Sequence, residues 1–250
     1  MTSFINIHFA NLILKLAETR EEIEKARHLR YSELVLLHNQ DISFEECFDD
    51  SDWTYDHLIV LEEQTGDVVG TYRLGRREHL RKIGEFAIES KFDISSIKAA
   101  KGEIMELSRM AIRSDHRDGL VLRFLWKGLC EYCTHYNVKY LFGVISLHTF
   151  EPQGAKNFLS YIYHNFISEE FDLFAKPPVV EMNILPPDQI DIAQARKEMH
   201  PVLKGYMGMG CKFARNAHID DKMLKSVDVM IVMDWDKINP KYLKLVTRLS

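Results

Sequence analysis

The stretch Glu103–Leu147, EIMELSRMAIRSDHRDGLVLRFLWKGLCEYCTHYNVKYLFGVISL, decides the fold that we predict for this chain. It predicts a strand, a polar turn, an amphipathic helix and a second strand, which together make a βαβ unit. The turn carries Arg117, Asp118 and Gly119 just before the helix. Because the N-terminus of a helix presents backbone N–H groups that bind phosphate, this unit favours a phosphorylated ligand.

The composition is that of a globular protein with a sizeable core. The chain has 250 residues, of which 46% are hydrophobic and 11% aromatic, and it shows no repeat or linker, so we predict one domain over residues 1–250. A net charge of −5 gives no general nucleic-acid footprint. Without an apolar run long enough to span a bilayer or a signal peptide, we expect a cytoplasmic protein, with peripheral contact with the inner face of the membrane left open.

Several common catalytic motifs are missing from the sequence. There is no HxxxxD, GxSxG, Walker loop, GxGxxG or HExxH motif, and Cys130 and Cys133 form a CxxC that no second cysteine or histidine pair completes. We therefore interpret these cysteines as core residues and predict no metal site. Carboxylates, arginines and backbone amides remain, and these suit direct transfer of an acyl group to an amine.

Two charged residues are predicted within strands, where an unpaired charge is costly. Arg73 lies in the second strand of a hairpin predicted over 57–62 and 67–75, and Glu106 lies in mid-strand. If that strand has no bulge, Glu106 and Ser108 point to one face and Arg109 to the other. Glu106 must then be solvated, paired or catalytic.

The N-terminal part begins with a strand predicted over 10–18 and a helix over 19–37, which starts at a capping box of Thr19 and Glu22. Residues 39–56 are acidic, aromatic and without periodicity, so we predict a loop. Two interpretations of this loop stay open. It is either an ordinary solvated loop or a lid whose carboxylates hold a cationic amine against aromatic walls.

The C-terminal half predicts a helix over 151–170, a strand at 179–185, a short helix, a glycine-rich turn and a core strand at 228–235. The first of these helices is rich in large aromatic residues. Such spacing is typical of core packing, and lining of a long acyl tunnel is the alternative.

The ordered set ELSRMAI (106–112), HRDG (116–119) and FGVISL (142–147) resembles the ornithine N-acyltransferase (lyso-ornithine lipid synthase) branch of the GNAT superfamily. This branch is related to the acyl-homoserine lactone (autoinducer) synthases. The resemblance covers roughly 15–235 and includes further matches at LRY (29–31), FDD (48–50), DHLIV (56–60), GTYRL (70–74), Pro201–Gly210, Ile219-Asp220 and Asp228.

The resemblance implies a three-layer α/β fold in which helices flank a central twisted mixed sheet, splayed open like a V around the donor's pantetheine arm. It also implies transfer of a 3-hydroxyacyl chain to the α-amine of ornithine, which gives a lyso-ornithine lipid. The donor would be the phosphopantetheine thioester of acyl carrier protein, or acyl-CoA, and no cofactor would be permanently bound.

The resemblance also assigns roles to residues. Glu106 matches the family's acid and Arg109 its partner, so these are the predicted catalytic pair, with Glu106 as the base that deprotonates the acceptor directly or through a water. The predicted substrate-binding residues are Arg30, Asp50, Asp52, Arg73 and Ser108. The predicted donor-binding turn is Arg117, Asp118, Gly119 and Leu120.

Acyl carrier protein is acidic, so its docking site should be locally basic. The candidates are Arg76, Arg77, Arg81, Lys82, Arg123 and Lys127, although an ordinary solvated face is the alternative interpretation. The donor turn is shorter than the usual acetyltransferase phosphate loop, which suits the single phosphodiester of a carrier-protein donor.

Three alternative functions stay open from the sequence. Val144 and Ile145 stand where the family often has a small polar pair, so the acceptor could be another amine, such as glycine or a polyamine. A homoserine lactone synthase acting on S-adenosylmethionine is disfavoured by the Pro201–Gly210 pattern and by the lack of a Trp in LVLLHNQD (34–41). A non-catalytic lipid-binding module is disfavoured by the presence of Glu106 and Arg109.

Overall fold

The computed structural model describes residues 4–37, 39–147, 149 and 151–248. Its strands are β1 (Asn6–Phe9), β2 (Leu12–Leu16), β3 (Asp56–Glu62), β4 (Val68–Arg76), β5 (Phe92–Asp93), β6 (Glu103–Ile112), β7 (Val138–Leu147), β8 (Phe174–Ala175), β9 (Val179–Glu181), β10 (Lys212–Phe213), β11 (Asn216–Asp220) and β12 (Ser226–Asp234). Its α-helices are α1 (Arg20–Arg30), α2 (Ser51–Thr54), α3 (Leu80–Ile83), α4 (Ser95–Ala99), α5 (Leu120–Tyr136), α6 (Lys156–Phe166), α7 (Ile192–Glu198), α8 (Pro201–Met209) and α9 (Pro240–Val246).

The chain forms two compact units that are interleaved along the sequence. The first contains the described residues of Met1–Phe86, Met105–Val138 and Leu243–Ser250, and the second contains Ala87–Ile104 and Lys139–Tyr242. The predicted βαβ stretch therefore contributes β6 from Met105 onward and α5 to the first unit, and most of β7 to the second.

The first unit is built on an antiparallel sheet in the order β1-β2-β3-β4-β6. The predicted hairpin is confirmed as β3 and β4, which pair from Asp56 opposite Leu74 to Leu61 opposite Val68. The first predicted strand, 10–18, is shorter as β2. It pairs with β1, a strand that the sequence did not predict.

The capping box predicted at the start of α1 is confirmed. The Thr19 side chain accepts a hydrogen bond from the backbone N–H of Glu22 at 3.2 Å, and the Glu22 carboxylate accepts one from the N–H of Thr19 at 3.3 Å. The α-helix ends at Arg30 and continues as a π-helical turn over Tyr31–Val35. The predicted helix over 19–37 thus changes its winding half-way along.

Helices α1 and α5 cover opposite faces of this sheet. On one face, Ala26 and Leu29 of α1 pack on buried apolar residues of the sheet, which are Ile59, Val68 and Ala111. On the other face α5 approaches closely, since a Cβ atom on Gly70 would lie 2.4 Å from the Val121 side chain. Glycine is required there by the contact, and the first unit is a three-layer α/β/α arrangement.

A β-bulge interrupts β6 and corrects the predicted alternation of its side chains. Arg73 lies opposite Ser108, but Thr71 lies opposite Ala111, so Arg109 and Met110 together oppose one residue of β4. Arg109 has a positive φ of 56°, as the first residue of a bulge can have. Its side chain therefore lies on the α1 face of the sheet, where it borders a pocket with Arg30.

The second unit has its own antiparallel sheet in the order β7-β12-β11-β9, with β10 paired to β12. The predicted core strand at 228–235 is confirmed as β12, whereas the strand predicted over 179–185 is limited to β9. The predicted helix 151–170 is α6, which follows a 3₁₀ turn over Pro152–Ala155. Its buried residues, Phe158, Leu159 and Ile162, belong to the core of this unit.

Two acidic residues that contribute to the family resemblance lie in this second unit. The ammonium group of Lys91 lies 2.7 Å from carboxylate oxygens of both Asp220 and Asp228, which are almost fully buried. Two backbone N–H groups also donate to Asp220, and the Ser226 hydroxyl group donates to Asp228. This arrangement ties β11 and β12 to the segment that precedes β5, so its role is structural.

Candidate active site

Buried ionisable side chains gather on the face of the first sheet that α1 covers. Each of them is at most 3% exposed, and they are Arg30, Asp52, His57, Arg73 and Glu106. We refer to these five residues as the charged layer. Because charges without partners are expensive to bury, such a layer persists only if its members pair with one another.

Arg73 of β4 is the centre of the charged layer. Its Nε donates to Ser108 Oγ at 3.0 Å, and its Nη1 lies 3.1 Å from Asp49 Oδ1 and 3.2 Å from Asp52 Oδ1. The predicted cost of a charge within this strand is therefore met by two carboxylates and a hydroxyl group. The nearby carboxylates, Asp52 first, raise the pKa of Arg73 against the effect of its burial.

Asp52 is shared by two arginines. Its Oδ1 lies 2.5 Å from Arg30 Nη2 as well as 3.2 Å from Arg73, while its Oδ2 accepts a hydrogen bond from the backbone N–H of Asp49. Burial would raise the pKa of Asp52, but the charges of Arg73 and Arg30 outweigh it and lower the pKa to about 2. Asp52 is thus a carboxylate at any physiological pH.

The structure brings Asp49, and not the predicted Asp50, to this layer. Asp50 is the exposed residue that precedes the short helix α2, while Asp49 contacts Arg73. The resemblance implied Asp50 and Asp52, and of these two the structure places only Asp52 in the layer. Which acid contacts Arg73 depends on where α2 begins, at Ser51. A segment without periodicity does not show where a helix of four residues begins.

His57 lies opposite Arg73 in the sheet and is 1% exposed. Its Nε2 lies 2.9 Å from the backbone oxygen of Asp52, and its Nδ1 has no hydrogen-bond partner among the described residues. Burial, followed by the charge of Arg30, lowers its pKa to about 3. The imidazole is therefore neutral at neutral pH. Sequence reasoning gave this residue no role, although it lies in the DHLIV match, because a lone histidine at the start of a strand fits no catalytic motif.

Glu106 is held by Tyr55, a residue that the sequence assigned only to the aromatic part of the loop. The hydroxyl group of Tyr55 donates to Glu106 Oε2 at 2.9 Å, and both side chains are buried. The ring of Tyr55 lies over Gly75, where a Cβ atom would come within 2.3 Å of it. Gly75 is opposite Glu106 in the ladder, so the ladder brings the acid and its donor together.

A small pocket opens beside the charged layer. Arg30 and Arg109 border it, and its other walls include Leu34, Val35, Cys47 and Phe48. Two nitrogens of Arg30, Nε and Nη1, have no hydrogen-bond partner among the described residues. The bulge in β6 and the π-helical turn after α1 are the two irregular features that shape this pocket, and both recur at functional sites.

The aromatic residues of the loop 39–56 pack on an arginine of the chain itself. The Arg27 guanidinium lies 4.0 Å from the ring centroid of Phe48, 4.8 Å from that of Trp53 and 5.3 Å from that of Phe44. The cations that these rings hold in the structure are thus arginines of the chain itself, and Arg27 contacts all three rings. The loop also contains short helical turns at Glu45–Cys47 and in α2, which the sequence did not predict.

The predicted donor turn lies at the N-terminus of α5, as expected. Gly119 precedes the helix with a φ of +94°, and the backbone N–H of Leu120 donates to the Asp118 carboxylate at 2.9 Å. Arg117 is exposed and pairs with Glu33 at 2.6 Å. The second carboxylate oxygen of Glu33 accepts the backbone N–H of Ser114 at 3.1 Å, so Glu33 ties this turn to the π-helical segment.

The basic residues predicted to dock a carrier protein differ in accessibility. Arg81 and Lys82 are exposed, while Arg77, Arg123 and Lys127 are partly buried. Arg76 is buried, because it alternates on β4 toward α5. There its Nε donates to Tyr132 at 2.8 Å, and its guanidinium lies 3.4 Å from the centroid of the Tyr136 ring. A guanidinium in this position does not belong to an accessible basic surface.

Cys47, Cys133 and Cys211 are buried and Cys130 is partly buried, and burial raises the pKa of Cys130 and of Cys211 to about 12. Within the described residues, no three His, Cys, Asp or Glu side chains converge on a position that could hold a metal ion. The helices among those residues include none that is both long and apolar enough to cross a membrane.

Comparison with known proteins relates this chain to acyltransferases. A family model of the acetyltransferase (GNAT) domain matches residues 27–127. The L-ornithine N(alpha)-acyltransferase of Rhizobium meliloti is 30% identical over 94% of this chain and 83% of its own length. The enzyme of the same name from Rhodobacter capsulatus is 27% identical over 94% of both chains.

Among solved structures, an N-acyl amino acid synthase from uncultured soil microbes, FeeM, has the same fold. It aligns with a TM-score of 0.50 at 9% identity, over 89% of this chain and 90% of its own. Together with the GNAT family match, this confirms the predicted GNAT-type α/β fold. The sequence relationship, at 30% identity over nearly the whole chain, places this protein in the L-ornithine N(alpha)-acyltransferase family and makes it an N-acyltransferase enzyme of the GNAT type.

Proposed function

We propose that this enzyme moves a 3-hydroxyacyl group from acyl carrier protein to the α-amine of ornithine and so produces a lyso-ornithine lipid. The observation that carries the proposal is the relationship to ornithine N(alpha)-acyltransferases over 94% of the chain. The charged layer supports it, because it contains a buried carboxyl group, Glu106, that is held by Tyr55 and can take the proton that an amine acceptor must lose.

In the proposed mechanism Glu106, directly or through a water, takes one proton from the acceptor ammonium. The amine nitrogen then attacks the thioester carbonyl carbon and loses a second proton as the carbon–sulfur bond breaks. The pantetheine sulfur takes up a proton and leaves as a thiol, and the proton held by Glu106 is released to solvent. Tyr55 holds Glu106 in place through its hydroxyl group. General base help of this kind is typically worth about 10²–10⁴-fold in rate.

Arg73 and Asp52 act as positioning residues in this scheme. Arg73 bridges the Asp52 carboxylate and Ser108, two residues along β6 from the proposed base. Its buried guanidinium fixes the strand that carries Glu106 relative to α2. A group so enclosed by its own partners serves the site by holding its geometry.

The donor side of the proposal uses the turn at the start of α5. Arg117, Asp118, Gly119 and Leu120 would hold the single phosphodiester of a carrier-protein donor. Arg123 and Lys127 would extend this contact to the carrier protein, and Arg77, Arg81 and Lys82 form a second basic group. We exclude Arg76 from the proposed docking surface because its side chain is buried.

Reversal of charge tests the docking surface. Changing Arg117 and Arg123 together to Glu should raise the Michaelis constant for acyl carrier protein at least tenfold, because like charges then face an acidic partner. The same variant should change the Michaelis constant for ornithine little. An unchanged constant for the carrier-protein donor would remove these residues from docking.

Product analysis tests the function itself. The purified enzyme is given 3-hydroxyacyl carrier protein or 3-hydroxyacyl-CoA together with ornithine, glycine, a polyamine or S-adenosylmethionine, and the products are identified by mass spectrometry. We expect acyl-ornithine, made faster from the carrier-protein donor. Acyl-glycine, acyl-polyamine or lactone as the main product would replace ornithine as the acceptor, and no product at all would favour a binding module.

We also propose that the two interleaved units work as one acyltransferase domain in the cytoplasm, in peripheral contact with the inner face of the membrane. Each unit is assembled from segments that are separated in sequence by parts of the other. Calorimetry should therefore show a single unfolding transition, and two independent transitions would contradict the one-domain proposal. Fractionation of cells, with and without a salt wash of the membranes, tests the location.

A further inference from the structure

The pocket beside the charged layer contains more cationic than anionic groups. Arg30 and Arg109 both border it, while the rest of its wall is largely apolar. Arg30 shares its carboxylate partner, Asp52, with Arg73. Arg73 is also paired with Asp49, so Arg30 and Arg109 are the two charged groups in the pocket wall, and an anion that entered the pocket would meet both guanidinium groups.

The guanidinium of Arg30 is only partly satisfied. Its side chain is 3% exposed, and one nitrogen, Nη2, contacts Asp52. The other two, Nε and Nη1, have no hydrogen-bond partner among the described residues. An orphaned buried donor costs about 1–3 kcal/mol, so these two nitrogens in the pocket wall are suited to a ligand that accepts hydrogen bonds.

The electrostatic environment agrees with this geometry. Burial, and then the neighbouring charges of Arg73 and Arg109, lowers the pKa of Arg30 to about 10 in spite of Asp52. An anion bound between Arg30 and Arg109 would reverse part of that effect. Planar guanidinium groups are well matched to a carboxylate, which offers two oxygens in one plane.

We propose that Arg30 and Arg109 form the subsite that binds the α-carboxylate of the acceptor amino acid. This inference rests on the proposed function and adds to it the chemical class of the acceptor, an α-amino acid rather than a simple amine or a polyamine. Arg109 lies three residues from Glu106, about 10 Å along a regular strand and less across a bulge. In the proposed mechanism the α-amine of an acceptor held at Arg109 would reach Glu106 along this strand, directly or through one water.

The β-bulge is the feature that makes this subsite. In a regular strand Arg109 would point to the opposite face from Glu106 and Ser108. The extra residue brings it to the face that α1 covers, where it meets Arg30. The proposed base and the proposed carboxylate anchor then belong to one strand, so their spacing is fixed by the backbone.

Ornithine amide is the probe that separates a carboxylate subsite from a general amine site. It retains both amines and the size of ornithine but replaces the charged carboxylate by a neutral amide. With the wild-type enzyme we expect the Michaelis constant for ornithine amide to exceed that for ornithine about 10–100-fold. In Arg109→Gln this ratio should fall toward one, and Arg109→Lys should give an intermediate ratio because it keeps the charge.

Arg20→Gln is the matched control. Arg20 lies on the same helix as Arg30 but outside the pocket, with its guanidinium 4.4 Å from the ring centroid of the exposed Trp53. This variant should keep the wild-type ratio. The subsite would be overturned if the wild-type enzyme had nearly equal Michaelis constants for ornithine amide and ornithine. It would also be overturned if a folded Arg109→Gln variant kept the wild-type ratio of these constants.

A binding measurement without donor tests the subsite independently of the proposed function, because it does not depend on turnover. Calorimetric titration of the enzyme without donor, with ornithine and its amide and with glycine and its amide, should show tighter binding of at least one acid than of its amide. If no acyl-ornithine forms but a carboxylate preference is found, the proposed acceptor fails and the subsite stands. If no amino acid binds more tightly than its amide, the subsite is overturned.

Discussion

The hydroxyl group of Tyr55 lies 2.9 Å from Oε2 of Glu106 and donates a hydrogen bond to it in the buried layer between α1 and the sheet. Tyr55 follows the short helix α2, and Glu106 lies in β6, so the hydrogen bond joins the acidic loop to the central strand. The loop therefore contributes to the candidate site through this tyrosine and through Asp49 and Asp52, while its other acids are exposed or half-buried at the loop surface.

Tyr55→Phe should lower kcat about tenfold or more without unfolding the protein. The ring is preserved, but the proposed base loses the donor that orients it, and a hydrogen bond to a charged group is worth about 1.5–3 kcal/mol. Steady-state kinetics at saturating donor and acceptor measure the effect. Gly75→Ala should give a comparable loss, because its methyl group would displace the Tyr55 ring. Unchanged kcat in both variants would exclude Tyr55 from the site.

His57 should make the protein less stable in mild acid. Its pKa is lowered from an ordinary 6.5 to about 3 by burial and by Arg30. Between pH 6.5 and about 3 the unfolded chain therefore binds a proton at His57 that the folded chain does not bind. The free energy of unfolding should therefore fall by about 1.4 kcal/mol for each unit of pH below 6.5. Asp52 adds to this loss only below its ordinary pKa of 3.8.

Urea denaturation of the wild type and of His57→Gln at pH 4, 5, 6 and 7 measures this contribution. The variant lacks the titrating group, so its stability should decline less steeply below pH 6.5. Parallel curves for the two proteins would show that His57 is protonated in the folded state.

Glu33→Gln should weaken the donor turn selectively. Glu33 accepts from both the Arg117 side chain and the backbone N–H of Ser114, and loss of its charge frees the turn to move. We expect the Michaelis constant for the acyl donor to rise about fivefold with little change for ornithine. Half of the Arg117 side chain is exposed, which limits the ion pair to about 0.2–1 kcal/mol, so thermal stability should stay close to that of the wild type. Equal changes for donor and acceptor would argue against a role specific to the turn.

Regular elements were predictable because their periodicity extends over many residues. The β3–β4 hairpin, α5 and the capping box of α1 were all predicted from local patterns, and the structure contains them. Strand β1 was missed because its four residues, NIHF, are mostly exposed and carry no alternation. The burial of Arg76 follows from the alternation along β4, although a run of basic residues is more typical of a surface.

Two irregular backbone features of the candidate site could not be predicted from the sequence. A bulge with Arg109 at positive φ has no glycine to mark it, and it changes which face the predicted partner of Glu106 occupies. Similarly, the winding changes to a π-helix at Tyr31 without a proline or glycine, and this turn lines the pocket. Tertiary packing sets both features, so residues far apart in the sequence decide them together.

The central claim is that Glu106 is the base of an N-acyltransferase, and turnover by Glu106→Gln tests it most directly. The variant keeps the size of the side chain and an oxygen that can accept from Tyr55, so it should fold with a near-normal melting temperature. With ornithine and 3-hydroxyacyl carrier protein at saturation, we predict a fall in kcat of about 10²–10⁴-fold. A folded Glu106→Gln variant with near-normal kcat would contradict the account.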